Sequence, residues 1–130
     1  MNKELKNHKI NKSFCLALED GKIVIKDCKI ADSFWKRFVG LMGKKGLGIE
    51  EGLYLDKCSS VHMFFMRFPL DIIFLDKNSS VVKVYEGLKP WRVTKIVNKA
   101  KSVVELPKNT IQQKGIEVGA KLFLKDLNLS

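Results

Sequence analysis

The dipeptide Asp20-Gly21 places the tightest constraint on what this chain can fold into. It sits between two runs rich in apolar and β-branched residues, Phe14–Leu18 and Ile23–Cys28. Asp-Gly tolerates the positive φ angles of a type I′ turn, so the pattern predicts a β-hairpin with a two-residue loop. That register sets Leu18 against Ile23, Leu16 against Ile25 and Phe14 against Asp27, which makes one face almost wholly apolar. The other face carries Cys15, Ala17, Val24 and Cys28 among charges.

The rest of the chain continues in the same style. Asp32 or Ser33 is placed to cap a short helix through Met42, with Phe34, Phe38, Leu41 and Met42 as its buried stripe. Five glycines then make residues 43–52 a loop. Strand-like runs follow at Leu53–Cys58, Val61–Met66, Asp71–Leu75 and Val81–Glu86, separated by Ser59-Ser60, by Pro69 and by the turn-rich Asp76–Ser80. Arg92–Val97 and Ala100–Leu106 read as a hairpin around Asn98-Lys99, with Arg92 opposite Glu105. Asn109 caps a helical turn over 110–114 that Gly115 ends, and Ala120–Lys125 is the last strand. The expected fold is therefore mostly β: a compact antiparallel sandwich or open barrel, with one short helix near 32–42 and a helical turn near 110–114. A flexible basic arm, 1–12, precedes a single β-rich domain, 13–130.

Three stretches together resemble the family known as domain of unknown function 192. They are FWKRFVGLMGKKGL, GLYLDKCSSVHMFFMRFPLDIIFLDKNSSVV and AKSVVELPKNTIQQKGIEVGAKL, in the family's order. The chain departs from the pattern at Asn109, where the family usually has Gly, and at Ala120, where it usually has Asp. The resemblance implies a compact β-rich domain, and it brings no accepted activity, cofactor or catalytic residue.

Composition narrows the function classes. Lys and Arg number 24 against 14 acids, a formal charge of +10, yet only Arg37, Arg67 and Arg92 are arginine. Lysine is a hydrated point charge, poorly suited to the forked recognition of bases and phosphates, and the lysines are scattered. A solvated basic surface is expected, with weak attraction to acidic partners and no specific nucleic-acid recognition. No apolar run is long enough for a transmembrane segment. The basic N-terminus lacks the apolar stretch of a signal peptide, so the sequence as it stands is expected in the cytoplasm, unless it belongs to an exported mature form. Cys15, Cys28 and Cys58 are an odd set with no close pair, which fits thiols in a reducing compartment.

Enzyme machinery is sparse: there is no phosphate-binding glycine loop, Gly-x-Ser-x-Gly elbow or His-Glu-x-x-His helix. His62 is the natural candidate base, with Asp71 or Cys58 as its partner in an enzyme of unrecognised type. On an extended strand, however, Cys58 and His62 would lie ~13 Å apart. Cys58, His62, Met63 and Met66 are ligand types that suit Cu(I), but the same spacing spreads them, and methionine among phenylalanines is ordinary core filling. No cofactor and no tight metal site are expected. Pro69 marks a bend that carries Arg67 and Asp71 beside large apolar side chains: paired, these charges lock the bend, and unpaired, they frame a polar site. The leading expectation is a non-catalytic binding or accessory domain with a groove beside residues 58–71. His62, Met66, Arg67, Asp71 and Trp91 would contact a small-molecule, peptide or protein ligand.

Overall fold

The computed structural model describes residues 14–31, 50–64 and 66–127. The arm over 1–12 and the helix expected near 32–42 lie outside those residues. The mostly β architecture is present as one sheet of seven strands with a short helix. In chain order these are β1 (Phe14–Leu18), β2 (Ile23–Ala31), β3 (Glu51–Asp56), β4 (Leu70–Leu75), β5 (Val81–Leu88), β6 (Ser102–Pro107), α1 (Thr110–Lys114) and β7 (Leu122–Asp126). Across the sheet the order is β5-β4-β6-β3-β2-β1-β7.

The sheet is mixed, where the sequence reading expected antiparallel pairing throughout. β2 and β3 run parallel, with Cys28 opposite Gly52 and Ile30 opposite Tyr54. A parallel pair needs a crossover of a dozen or more residues, which residues 32–50 supply. The sheet does not close into a barrel. Its edges meet at one corner, where the Val81 amide donates to the Ala120 carbonyl (2.8 Å) and the Leu122 amide to Ser79 (3.0 Å).

The first hairpin forms around Asp20-Gly21 with a different turn. The Gly21 amide donates to the Leu18 carbonyl and the Leu18 amide to the Lys22 carbonyl, both at 2.9 Å. That is a three-residue loop, a turn followed by a left-handed glycine (φ 95°), as in the type I turn with a bulge. The Asp20 carboxylate fixes it by accepting from the Lys22 amide (2.9 Å). Leu16 still faces Ile25, but bulges in register move Ala17 opposite Ile23 and Phe14 opposite Cys28. They explain how Val24 and Ile25, adjacent in sequence, are both fully buried. Gly21→Val meets no steric neighbour, so its whole effect is backbone strain at positive φ. A loss of ~2 kcal/mol is expected, whereas Gly21→Asn should be nearly neutral. Comparing thermal melts of the two variants checks this, and equal stability would show that the turn does not hold Gly21 as described.

Two cores lie on opposite faces of the sheet. β4 is buried along its entire length, the near-continuous apolar pattern of a strand covered on both sides. On one face Ile73, Leu75, Val104 and Leu106 pack with Leu16, Ile25 and Leu122, and with Ile111 and Ile116 at the α1 end. On the other, Leu53, Leu55, Leu70, Ile72, Phe74 and Val103 pack under Val61, Met63, Met66 and Phe68.

The covering segment corrects two strand assignments. Val61–Met66 and Arg92–Val97 form no ladder strands. They run antiparallel as a strap joined by one isolated bridge, His62 to Val93. Further bonds run from the Met63 amide to the Arg92 carbonyl (2.7 Å), from Thr94 to Val61 (2.9 Å) and from Val97 to Ser59 (2.8 Å). A regular ladder fails because the Thr94 hydroxyl accepts from the Val61 amide (3.0 Å). Arg92–Val97 cannot pair with β6, because β3 and β4 already occupy both its edges. Arg92 is accordingly exposed and does not face Glu105, which is completely buried opposite Leu53 and Ile72.

Candidate functional site

Alternation along β4 decides where the Asp71 side chain goes. Its neighbours Leu70 and Ile72 pack under the strap, so Asp71 points to the opposite face, beside Leu106 in register. There it is completely buried. One carboxylate oxygen accepts from the Gly87 amide (2.8 Å) and the other from the Ile111 amide (2.9 Å). Both contacts answer local backbone needs. Gly87, at φ 61°, sits where the β4–β5 register slips, so its amide turns away from the ladder. Ile111 lies in the first turn of α1, whose amides have no partner within the helix. Asn109 holds the N-cap position without a side-chain cap, in a left-handed conformation (φ 78°); Asp71 caps the helix from another strand. That φ also accounts for asparagine standing where glycine is usual, since the two tolerate left-handed backbone best.

Met66 is buried in the strap-side core and Met63 is completely buried. The Cys58 thiol donates to the Ser60 carbonyl (3.0 Å). Among the described residues no group of three or more His, Cys, Asp and Glu side chains gathers as metal ligands do. Cys58 lines an open recess of about 450 Å³ with Asp56, Lys57, Ser59, Ala100 and Lys101. That recess is at one end of the strap.

The outer surface of the strap is where the other expected residues come together. His62 lies against Phe64, with ring centroids 4.5 Å apart, and its Nδ1 accepts from the Phe64 amide (3.3 Å). Phe64 in turn lies 6.0 Å from Trp91, and Val93 sits directly across the bridge from His62. Phe64 is 39% exposed, while Trp91 and Val93 are each 59% exposed. Arg67, in the next bend, is exposed as well. Of the five residues expected at the site, His62 and Trp91 are thus joined, Arg67 is nearby in the chain, Met66 lies beneath and Asp71 faces away. Phe64 and Val93 are members the sequence reading passed over. Their signal was the alternation of the strap, which sends Met63 inward and its neighbours outward.

Trp91 is held in an uncommon way. Lys89, Pro90, Trp91 and Arg92 form a turn in which the Arg92 amide donates to the Lys89 carbonyl (3.3 Å). Proline precedes a residue at positive φ, 69° for Trp91, which is the pattern of a type II turn whose third position normally takes Gly or Asn. A bulky aromatic there is strained, by about 1–3 kcal/mol, and persists because its surroundings hold it. One such tie is the bond from the Trp91 amide to the Met63 carbonyl (2.7 Å).

With this geometry described, relatives can be compared. The model of the family DUF192, described as "Uncharacterized ACR", matches residues 16–124. A UPF0127 protein of Pyrococcus furiosus is 38% identical over 114 residues, covering 82% of this chain and 94% of the relative. Another, of Pyrococcus horikoshii, is 39% identical over 99 residues, covering 74% and 85%. Among solved structures, a protein of unknown function from Novosphingobium aromaticivorans superposes with a TM-score of 0.70 at 21% identity, over 85% of this chain and 83% of that one. A protein from Sinorhizobium meliloti, provisionally described as a transcription regulator, also gives 0.70 at 20% identity, over 87% and 92%. Likeness at this level establishes a shared fold.

Proposed function

We propose that this chain, which belongs to the DUF192 family, is a non-catalytic binding or accessory domain whose contact surface is the outer side of the strap. His62, Phe64, Trp91 and Val93 form its centre, and Arg67 and Arg92 are its cations. The observation that carries the reading is Trp91: an aromatic ring kept 59% exposed on a backbone conformation that disfavours it. Packing alone gives no reason to hold tryptophan there, because a glycine would satisfy the same turn without strain. Strain retained at an exposed side chain is commonest where that side chain does something else. Asp71 faces the other side of the sheet, with both oxygens engaged by backbone amides. This speaks against a His62–Asp71 acid–base pair and in favour of binding.

Substitution separates strain from contact. Trp91→Gly loses the ring and the strain together, whereas Trp91→Ala loses the ring and keeps the strain. The glycine variant is expected to be ~1 kcal/mol more stable than the alanine variant. Both should lose any ligand found by amide chemical-shift screening of the whole protein against peptides, saccharides and nucleotides. Shifts centred elsewhere, or a ligand held equally well by both variants, would remove Trp91 from the binding surface.

A further inference from the structure

We infer that the strap is a docking surface for anionic lipid bilayers, the protein associating peripherally through its exposed apolar side chains with cations around them. This rests on the reading of the strap as the contact surface and names its partner. The first support is the kind of apolar group exposed. Beside Phe64 and Trp91 stand two aliphatic residues, Val93 at 59% and Ile96 at 72% exposure. Stacked bases or sugars use aromatic faces and have little use for aliphatic side chains, whereas the acyl boundary of a bilayer accepts both, and tryptophan favours that interface.

The second support is charge. The two segments that build the strap and its flanks, Lys57–Leu70 and Leu88–Val104, contain no carboxylate. They carry seven cations, Lys57, Arg67, Lys89, Arg92, Lys95, Lys99 and Lys101, all exposed. The carboxylates at their borders are Asp56 and Glu86 on the surface, and Asp71 and Glu105, both completely buried. Lysine suits such a role, since attraction to an anionic leaflet needs positive charge near a surface and no forked geometry, and its stem can lie along the apolar boundary. Apolar contact and cations together supply the two signals that stable peripheral attachment requires.

Co-sedimentation of the full chain with vesicles tests the proposal, at near-physiological salt (~0.15 M). One set is phosphatidylcholine alone and the other is doped with phosphatidylglycerol. Binding is expected to the doped vesicles only, with a blue shift of tryptophan emission that Trp91→Gly abolishes. The double variant Trp91→Gly/Ile96→Ser should weaken binding at least ~10-fold through lost apolar insertion. Arg92→Gln/Lys95→Gln should weaken it by roughly 5-fold per charge and flatten its salt dependence. All four positions are exposed, and an unchanged melt shows that each variant is folded. No binding to doped vesicles, equal binding to both sets, or indifference to the apolar substitutions would overturn the proposal. So would tight binding of a single-stranded oligonucleotide at the same salt by a protein that ignores vesicles. Failure with vesicles alongside a Trp91-dependent ligand in the screen would remove the lipid and leave the contact surface standing; a Trp91 irrelevant to both would remove both.

Discussion

Asp71→Ala should destabilise the protein by about 4 kcal/mol, a large part of the ~5–15 kcal/mol that holds an ordinary domain together. The substitution removes two hydrogen bonds to a carboxylate, each worth ~1.5–3 kcal/mol. It also strands the amides of Gly87 and Ile111, which accept nothing else from their own elements. Asp71→Asn separates shape from charge, since it fills the same volume but offers only one acceptor oxygen. Its amino group must then face one of the two amides, donor against donor, so a loss nearly as large is expected. Denaturant unfolding measures both. Hydrogen exchange should also show the Gly87 and Ile111 amides losing protection ahead of the β4–β6 ladder. A loss below ~1 kcal/mol for Asp71→Ala would mean the carboxylate does not tie β4, β5 and α1 together.

How far this arrangement was readable from sequence depends on how local each interaction is. The bend at Pro69 and the choice between a lock and a ligand-facing Asp71 came from neighbouring residues. The actual partners lie 16 and 40 positions away, and they are backbone amides, which carry no signature in sequence. Arg67, the local partner considered for it, stands exposed instead. The Asp20-Gly21 hairpin was legible, but its turn was not, because the same dipeptide serves a two-residue loop and a three-residue loop with a left-handed glycine. Leu16 opposite Ile25 survives either choice; the pairs on both sides move.

The strap shows the opposite failure. Val61–Met66 alternates as a strand does, and its burial does alternate, with Val61 and Met63 inside and Phe64 outside. What alternation cannot reveal is whether a ladder is free to receive the segment. β6 has both edges occupied, so the strap lies across the sheet face and not within it. Trp91 was legible as an aromatic platform, and Pro90 before it hinted at the turn. Its left-handed backbone was not legible, because no propensity places tryptophan there.

Stability should also fall steeply in alkali, and Cys28 is the group responsible. Its thiol is pushed from the ordinary 9.0 up to about 12, first by burial, then by the negative charge of Asp27 and by Cys15. The folded state therefore keeps the proton longer than the unfolded chain does. Below pH 9 the thiol is neutral in both states, and the stability that its burial contributes is fully present. Between pH 9 and 12 the unfolded chain binds fewer protons than the folded one, so stability declines by ~1.4 kcal/mol per pH unit. The whole contribution, roughly 4 kcal/mol, is gone once the pH has risen through the folded value. Urea unfolding under reducing conditions at pH 8 and pH 11 should accordingly differ by ~2–3 kcal/mol from this group. Cys28→Ala, which leaves a small cavity at a completely buried position, should be less stable at pH 8 by ~1–2 kcal/mol. Its stability should decline less between the two pH values, so that the curves of the two proteins converge in alkali. In the native protein the Cys28 thiol should resist alkylation at pH 8 until denaturant is added, because both the thiolate and access to it are missing. Parallel pH curves for the two proteins would show that the thiol titrates as it does in the unfolded chain, and with it that the bulged β1–β2 face does not exclude water from Cys28.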